Sequence, residues 1–313
     1  MRVLHHLREV RPASRSFVTV GVFDGVHRGH QRILGGLSEG AHAAGHAAIA
    51  VSFDPHPAAV LSDNPPHLLT TVGERIDLMA VLGLDALVII PFTEDVVHTS
   101  AAGFVEELVR HLRMAELWVG PDFTLGHRQE GDIPYLQRLG HERGFEVRVI
   151  EPVVWQGKIV HSSRVRQAVR RGDVREANGC LGRPYQLSGV VVHGRGRGRD
   201  IGVPTANLST PPMRLIPASG VYACWAQTER WGKYSAATNI GTRPTFVSQS
   251  DTRGLTVEAH LLDFDRNLYD QVLSLDFVAR LREERAYPTL NALVGQLRQD
   301  IAQTRTLLNT TRP

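Results

Sequence analysis

The sequence predicts two folds in series: an α/β domain on a mostly parallel sheet, then a small antiparallel β-barrel or sandwich closed by a helix. Three observations predict this. Strand and helix signals alternate through the first half, as a parallel sheet flanked by helices requires. Beyond residue 184 the segments become short, β-rich and separated by Gly, Pro and Asn turns. Between the first strong strand and the first helix lies a Gly-rich turn with two histidines, Gly21-Val22-Phe23-Asp24-Gly25-Val26-His27-Arg28-Gly29-His30.

In chain order, apolar runs predict strands at 17–21, 47–53, 86–91, 116–120 and 145–150. Helical patterns fall between them near 29–44, 73–83, 100–113 and 132–143. Thr71 with Glu74 forms a capping-box pattern, and Ser100 is a good N-cap. Residues 162–182 read as one basic helix ending at Gly182-Arg183-Pro184. Strands follow at 185–193, 219–227, 234–240, 255–262 and 271–278, then a helix near 289–308. The domain boundary is expected near 184, giving domains 1–184 and 185–313.

With 313 residues, 42% of them hydrophobic, each half can bury a core. A net charge of +3 suits anionic metabolites and does not demand nucleic acid. Cys180 and Cys224 lack metal or redox spacing and read as reduced, small apolar residues. The N-terminus has no apolar core of a signal peptide, and the run from Ala86 to Phe92 is too short to span a bilayer. A cytoplasmic location is expected, with neither nucleic acid nor membrane as partner.

The histidine turn is a place for a phosphate. Glycines let the backbone approach an anion, the helix N-terminus points N–H groups at it, and both imidazoles reach the same group. Asp24 either holds the turn or meets the ligand. Phe53-Asp54-Pro55-His56-Pro57 is a rigid strand exit, or a wall for an aromatic ligand made by Phe53 and His56. The loop Gly120 to His127 follows a strand on the same face, which points to Asp122 and Phe123. Ser162, Ser163 and Arg166 start a helix and either cap it or bind phosphate oxygens.

In the second half, Gly194-Arg195-Gly196-Arg197-Gly198-Arg199 is a flexible basic loop able to cover polyphosphate. Pro204-Thr205-Ala206-Asn207 follows, and Thr205 and Asn207 point the same way if extended. Their hydroxyl and amide oxygens suit Mg²⁺, although capping residues in a turn would look alike. Alternation puts Thr256, Glu258 and His260 on one strand face, with Glu258 either solvated or a general base.

These motifs carry a resemblance. GVFDGVHRGH, FDPHP, GPDFTLGH, HSSRVR, PTAN, NIGTRPTF and VEAHLLDFDRNLYD occur here in the order found in the bifunctional bacterial riboflavin kinase/FAD synthetases, and the chain resembles that family over nearly its whole length. The resemblance implies a nucleotidyltransferase-like, Rossmann-like first domain that transfers AMP from ATP to FMN, releasing pyrophosphate. It implies a six-stranded barrel that phosphorylates riboflavin. By resemblance, Gly21, Phe23, Asp24, Gly25, Gly29 and the pair His27/His30 belong to the first ATP site, with Ser162, Ser163 and Arg166. His27, His30 and Arg166 would act catalytically. The second ATP site would take Gly194, Gly198, Gly202 and Pro204, with Thr205 and Asn207 also serving Mg²⁺. Glu258 becomes the kinase base. Flavin contacts are expected at Phe53, His56, Asp122 and Phe123, and at Glu258, Arg282 and Glu284. The substrates implied are ATP, riboflavin and FMN.

Five positions depart from the family pattern. His161 and Ser163 replace a serine and a threonine, Leu125 stands where an aromatic is common, and Ala286-Tyr287 replaces Lys-Phe. Two other readings compete: a tRNA-linked synthetase using the basic run from Arg164 to Arg175, and a flavin carrier with an inactive kinase module. The PTAN stretch in a β-rich half argues against the first. Thr205, Asn207 and Glu258 argue against the second.

Overall fold

The computed structural model describes residues 1–194, 198, 201–242 and 254–310. Contacts divide the chain into two units, Met1–Ser162 and Ser163–Pro313.

In the first unit, β1 (Arg2–Leu4), β2 (Ser16–Val20), β3 (Ala47–Asp54), β4 (Ala86–Pro91), β5 (Met114–Val119) and β6 (Glu146–Val149) form one sheet. Its order is β1-β4-β3-β2-β5-β6, and every pairing is parallel. Period-two alternation sends Val18, Val20, Ile49, Val51 and Val88 into one core, and Phe17, Ala48, Ala50, Leu87 and Trp118 into the other. Helices α5 (Ala101–Leu112) and α6 (Ile133–Arg143) cover the first face through Val105, Leu108, Leu112 and Leu136. Helices α1 (Arg28–Ala43) and α3 (Val72–Ala80) cover the second through Leu34, Leu37, Ala41 and Met79. The Thr71/Glu74 capping box forms, and Ser100 caps α5 by accepting from Gly103 N at 3.1 Å. Leu125 belongs to the first core, 9% exposed.

The unexpected elements are short. Besides β1 they are α2 (Pro57–Leu61), α4 (Glu94–Val97) and a hairpin of β7 (Val154–Trp155) and β8 (Lys158–Ile159), with Gln156 and Gly157 both at positive φ. Segments of two to five residues show no measurable periodicity.

The expected helix 162–182 is two, α7 (Ser162–Arg171) and α8 (Val174–Leu181), broken at Gly172 (φ 74°) with Asp173 capping the second. By contacts, all of these residues after Ser162 group with the second unit. Within that unit α8 is tied to the barrel by Asn178, which donates to Phe277 O at 2.8 Å and accepts from Tyr185 N at 2.7 Å.

The barrel contains β9 (Tyr185–Val192), β10 (Ala206–Ser209), β11 (Gly220–Thr228), β12 (Gly232–Thr242), β13 (Leu255–Leu261) and β14 (Val272–Arg282). It closes in the antiparallel order β10-β13-β12-β11-β14-β9. Five of these strands follow from composition. The sixth, β10, is four residues long and carries Asn207. Tyr185, Tyr222, Leu275 and Phe277 fill the interior, and α9 (Leu290–Thr310) seats Leu307 and Leu308 against Ala223, Trp225 and Val278. Both cysteines are buried and free, and burial pushes the Cys224 thiol well up.

Candidate functional sites

In the first unit, strand order reverses direction of progress at β2, whose neighbours are β3 and β5. Crevices of parallel sheets open outside the carboxyl ends of the strands at such a point. A cavity of about 400 Å³ lies there, bordered by Gly21 after β2, Gly120 after β5 and Ile150 after β6.

The histidine turn forms one wall. Phe23, Gly25 and Val26 sit at φ 54°, 81° and 38°, a left-handed path that is strained for a β-branched valine. His27 is the N-cap of α1, its Nδ1 accepting from His30 N at 3.3 Å. That acceptance places the proton of the neutral ring on Nε2. The two imidazoles stack at 3.6 Å, and His30 meets the Phe23 ring edge-on at 5.3 Å. Gly29 permits this packing, because a Cβ there would lie 3.0 Å from His27 Cε1.

Asp24 faces the other way. It is 3% exposed, and its carboxylate accepts from Leu69 N, Thr70 N and Thr70 Oγ1, each at 3.0 Å. Thr70 Oγ1 also accepts from Gly25 N at 3.0 Å. Arg75 adds a second strut, donating to Val22 O at 2.6 Å and Phe53 O at 3.1 Å. Burial lowers the Arg75 pKa, and the Asp24 and Asp54 charges oppose that shift. Ser162 closes the turn from the other side, its Oγ donating to Asp24 O at 3.0 Å.

Gly21, Phe23, His27, Gly29, His30, Asp122, Phe123 and Ser162 therefore share this cavity. Phe53 and His56 are not among its lining residues. The Phe53 ring packs on Phe92 and Phe104 at 5.3 and 6.2 Å, and His56 caps α2 by accepting from Ala58 N at 3.0 Å. Ser163, exposed, and Arg166, buried, are on α7 in the second unit. His161 borders the cavity, a position the motifs marked as a departure.

In the barrel, register places Asn207 of β10 and Asn239 of β12 directly opposite Glu258 of β13, one on each side. Three polar side chains thus share one face across adjacent strands. Glu258 lines a cavity of about 270 Å³ together with Thr205, Asn239, His260, Arg282 and Glu284. Leu293, Leu297 and Ile301 of α9 border it, as does Tyr287. His260 Nδ1 donates to Pro204 O at 2.8 Å, tying β13 to the segment that carries Thr205.

A second barrel cavity, about 570 Å³, is lined by Pro204, Thr205 and Ala206 on one side and by Phe264 to Tyr269 on the other. Tyr269 stacks on His193 at 3.9 Å and Phe264 meets Tyr234 edge-on at 4.9 Å. Thr205 borders both cavities. Gly194 and Gly198 come close to the two expected metal ligands. A Cβ at 194 would lie 2.2 Å from Asn207 Nδ2, and one at 198 would lie 3.3 Å from Thr205 Oγ1. Gly202 is exposed at φ 74° and lines neither cavity. Arg195–Arg197, Arg199 and the stretch 243–253 of the expected motifs lie outside the described residues.

Residues 10–164 match the FAD synthetase family, and residues 181–308 the riboflavin kinase family. Curated relatives named bifunctional riboflavin kinase/FMN adenylyltransferase cover the chain end to end. The Pseudomonas fluorescens protein is 35% identical over 309 residues, 98% of each chain. The Bacillus subtilis strain 168 protein is 33% identical over 300 residues, 95% of this chain and 93% of that one. The chain belongs to this bifunctional family. It is accordingly a transferase with two activities, riboflavin kinase and FMN adenylyltransferase, acting on ATP, riboflavin and FMN. A solved structure named as a macrolide-efflux protein from Streptococcus pneumoniae shares the fold at a TM-score of 0.87 and 27% identity, covering 97% of this chain and 98% of that chain. None of the described helices here is long and apolar enough to cross a membrane.

Asn239, His260 and the 264–269 loop border the barrel cavities, and residue-by-residue reading did not propose them as site residues. The signal was present: all but Asn239 lie in VEAHLLDFDRNLYD, and Asn239 opens NIGTRPTF. Their strand register was not visible without partners.

Proposed function

We propose that adenylyl transfer to FMN takes place in the cavity at the carboxyl ends of β2 and β5. The α1 N-terminus, His27 and His30 bind ATP phosphate there, and Asp122 and Phe123 border the flavin. FMN's phosphate is already anionic near neutral pH, since a monoester's second pKa is about 6. No strong base is needed. The site contributes positioning and stabilises charge on the α-phosphate and the leaving pyrophosphate. The stacked imidazoles and the helix N-terminus are suited to that charge. Ser163 and Arg166 enter this reading from the family resemblance. Asp24, Gly25 and Ser162 support it by holding the turn.

Riboflavin phosphorylation is assigned to the barrel. The observation that carries it is Thr205, a shared wall of the 570 Å³ and 270 Å³ cavities. The larger takes the nucleotide and the smaller takes riboflavin, so the γ-phosphate meets the ribityl hydroxyl at Thr205. An alcohol is a poor nucleophile while protonated. Glu258 takes its proton, a contribution of about 10²–10⁴-fold. Thr205 Oγ1 and the Asn207 amide oxygen would hold Mg²⁺. Hard, neutral oxygens packed against Gly194 and Gly198 fit an ion that keeps most positions for phosphate and water. Mg²⁺ supplies charge neutralisation on the ATP phosphates. Arg282 and Glu284 border the flavin end.

We place the functional boundary at residue 184, between the two modules, and the protein in the cytoplasm. The test is incubation with riboflavin, ATP and Mg²⁺, followed by separation of the flavins. FMN appears first, then FAD. Glu258→Gln loses FMN formation and still converts supplied FMN to FAD. Loss of both activities in a folded variant would contradict the assignment.

A further inference from the structure

Asp300 is the sole acidic residue of α9. It is 1% exposed, yet it borders the 270 Å³ cavity. Its carboxylate accepts from Arg282 Nε at 3.0 Å and Nη2 at 2.7 Å, and from Gln296 Nε2 at 3.0 Å. Arg282 Nη1 donates to Glu283 O at 2.9 Å. The guanidinium also lies 5.7 Å from the Tyr287 ring.

A guanidinium has five N–H donors on one rigid plane. These bonds occupy three and set the plane's orientation at the cavity edge. Arg282 stands at the end of β14, while Asp300 comes from α9. The ion pair therefore locks the helix to the strand end where the cavity closes. Glu258 and Glu284 line the same cavity. Without Asp300, the guanidinium can turn toward Glu284, whose charge already acts on it.

We infer that Asp300 is a positioning residue of the kinase site, holding Arg282 so that its remaining N–H donors face the acceptor-bearing edge of riboflavin. The inference rests on reading this cavity as the flavin site. It has a specific signature. Asp300 acts through Arg282, so the two residues should behave as one unit toward riboflavin and leave ATP handling alone.

The experiment is a double-mutant cycle on the full chain, with KM and kcat measured separately for riboflavin and ATP. Asp300→Asn should raise the riboflavin KM by about tenfold with the ATP KM unchanged, as expected for a lost ground-state contact. Asp300→Glu, which restores the carboxylate, should stay within about threefold of the parent. The double variant with Arg282→Gln should be no worse than Arg282→Gln alone. An unchanged riboflavin KM in folded Asp300→Asn overturns the inference. So does an additive loss in the double variant; if Asp300→Asn does not fold, Arg282→Gln carries the test, and an unchanged riboflavin KM in that folded variant overturns the inference. Glu258→Gln is assayed in parallel. If it still phosphorylates riboflavin, the cavity assignment has failed; if it is inactive while Asp300→Asn is normal, the role of Asp300 alone has failed.

Discussion

Replacing Asp24 by asparagine tests whether the histidine turn is held from behind or whether Asp24 meets ATP directly. The carboxylate takes three donors from Leu69 and Thr70 in a site 3% exposed. Hydrogen bonds to a charged group contribute about 1.5–3 kcal/mol each, against about 0.5–1.5 for neutral pairs. Asparagine retains one acceptor oxygen, so each of the three bonds loses roughly 1 kcal/mol, about 3 kcal/mol in total. Its amide also turns N–H groups toward the Leu69 N–H. Alanine would strand all three donors, at about 1–3 kcal/mol each. With domain stability of about 5–15 kcal/mol, the asparagine variant should fold and the alanine variant be marginal. The assay is urea unfolding followed by circular dichroism, alongside both activities. The expected result is a lower midpoint for the first unit, FMN adenylylation reduced by about 10²-fold through misplacement of the turn, and normal riboflavin phosphorylation. An unchanged midpoint with a raised ATP KM would refute the strut and make Asp24 a ligand.

Other expectations are narrower. His30→Ala should abolish most FAD formation from supplied FMN while sparing FMN formation from riboflavin; untouched FAD output would remove the pair from the adenylyl site. Gly194→Ala puts a methyl 2.2 Å from Asn207 Nδ2, so the carboxamide must turn away. The Mg²⁺ concentration for half-maximal kinase activity should rise, with adenylylation unaffected, as a metal titration would show. Asp276 is raised from the ordinary carboxylate pKa chiefly by burial, opposed by Gln186 and Lys233. The folded state thus favours the protonated acid, and this group's effect on stability worsens as pH rises through the carboxylate range. Asp276→Asn keeps an acceptor for Gln186 and should raise the barrel's melting temperature at pH 7. The gain should vanish in strong acid, where the unfolded chain's aspartate is protonated as well; thermal melts against pH would show a constant or absent difference if burial were not the cause.

The longer elements were legible because periodicity reports burial. Val18, Val20, Ile49 and Val51 alternate with Phe17, Ala48 and Ala50, and two helix-covered sheet faces follow from that pattern alone. The histidine turn was legible for a similar reason: glycine and histidine at a strand-to-helix junction constrain the backbone locally. Elements of two to five residues, such as α2, β1 and the four-residue β10 beneath Asn207, were not legible, since so few side chains carry no period. The break of 162–182 at Gly172 was missed because one left-handed glycine interrupts a run that stays amphipathic on both sides.

Taken by itself, the sequence determined the two folds, their order and the family, and it proposed the residue types for phosphate and flavin chemistry. Tertiary structure decided what each of those residues touches. Asp24 and His56 became internal braces, Asn239 joined Glu258 through strand register, and Thr205 became the wall between two cavities. The physical reason is that chemistry is a property of the side chain, whereas partnership depends on contacts between segments. Asp24 meets Thr70 and Arg282 meets Asp300 across stretches of chain whose spacing carries no signal of the encounter.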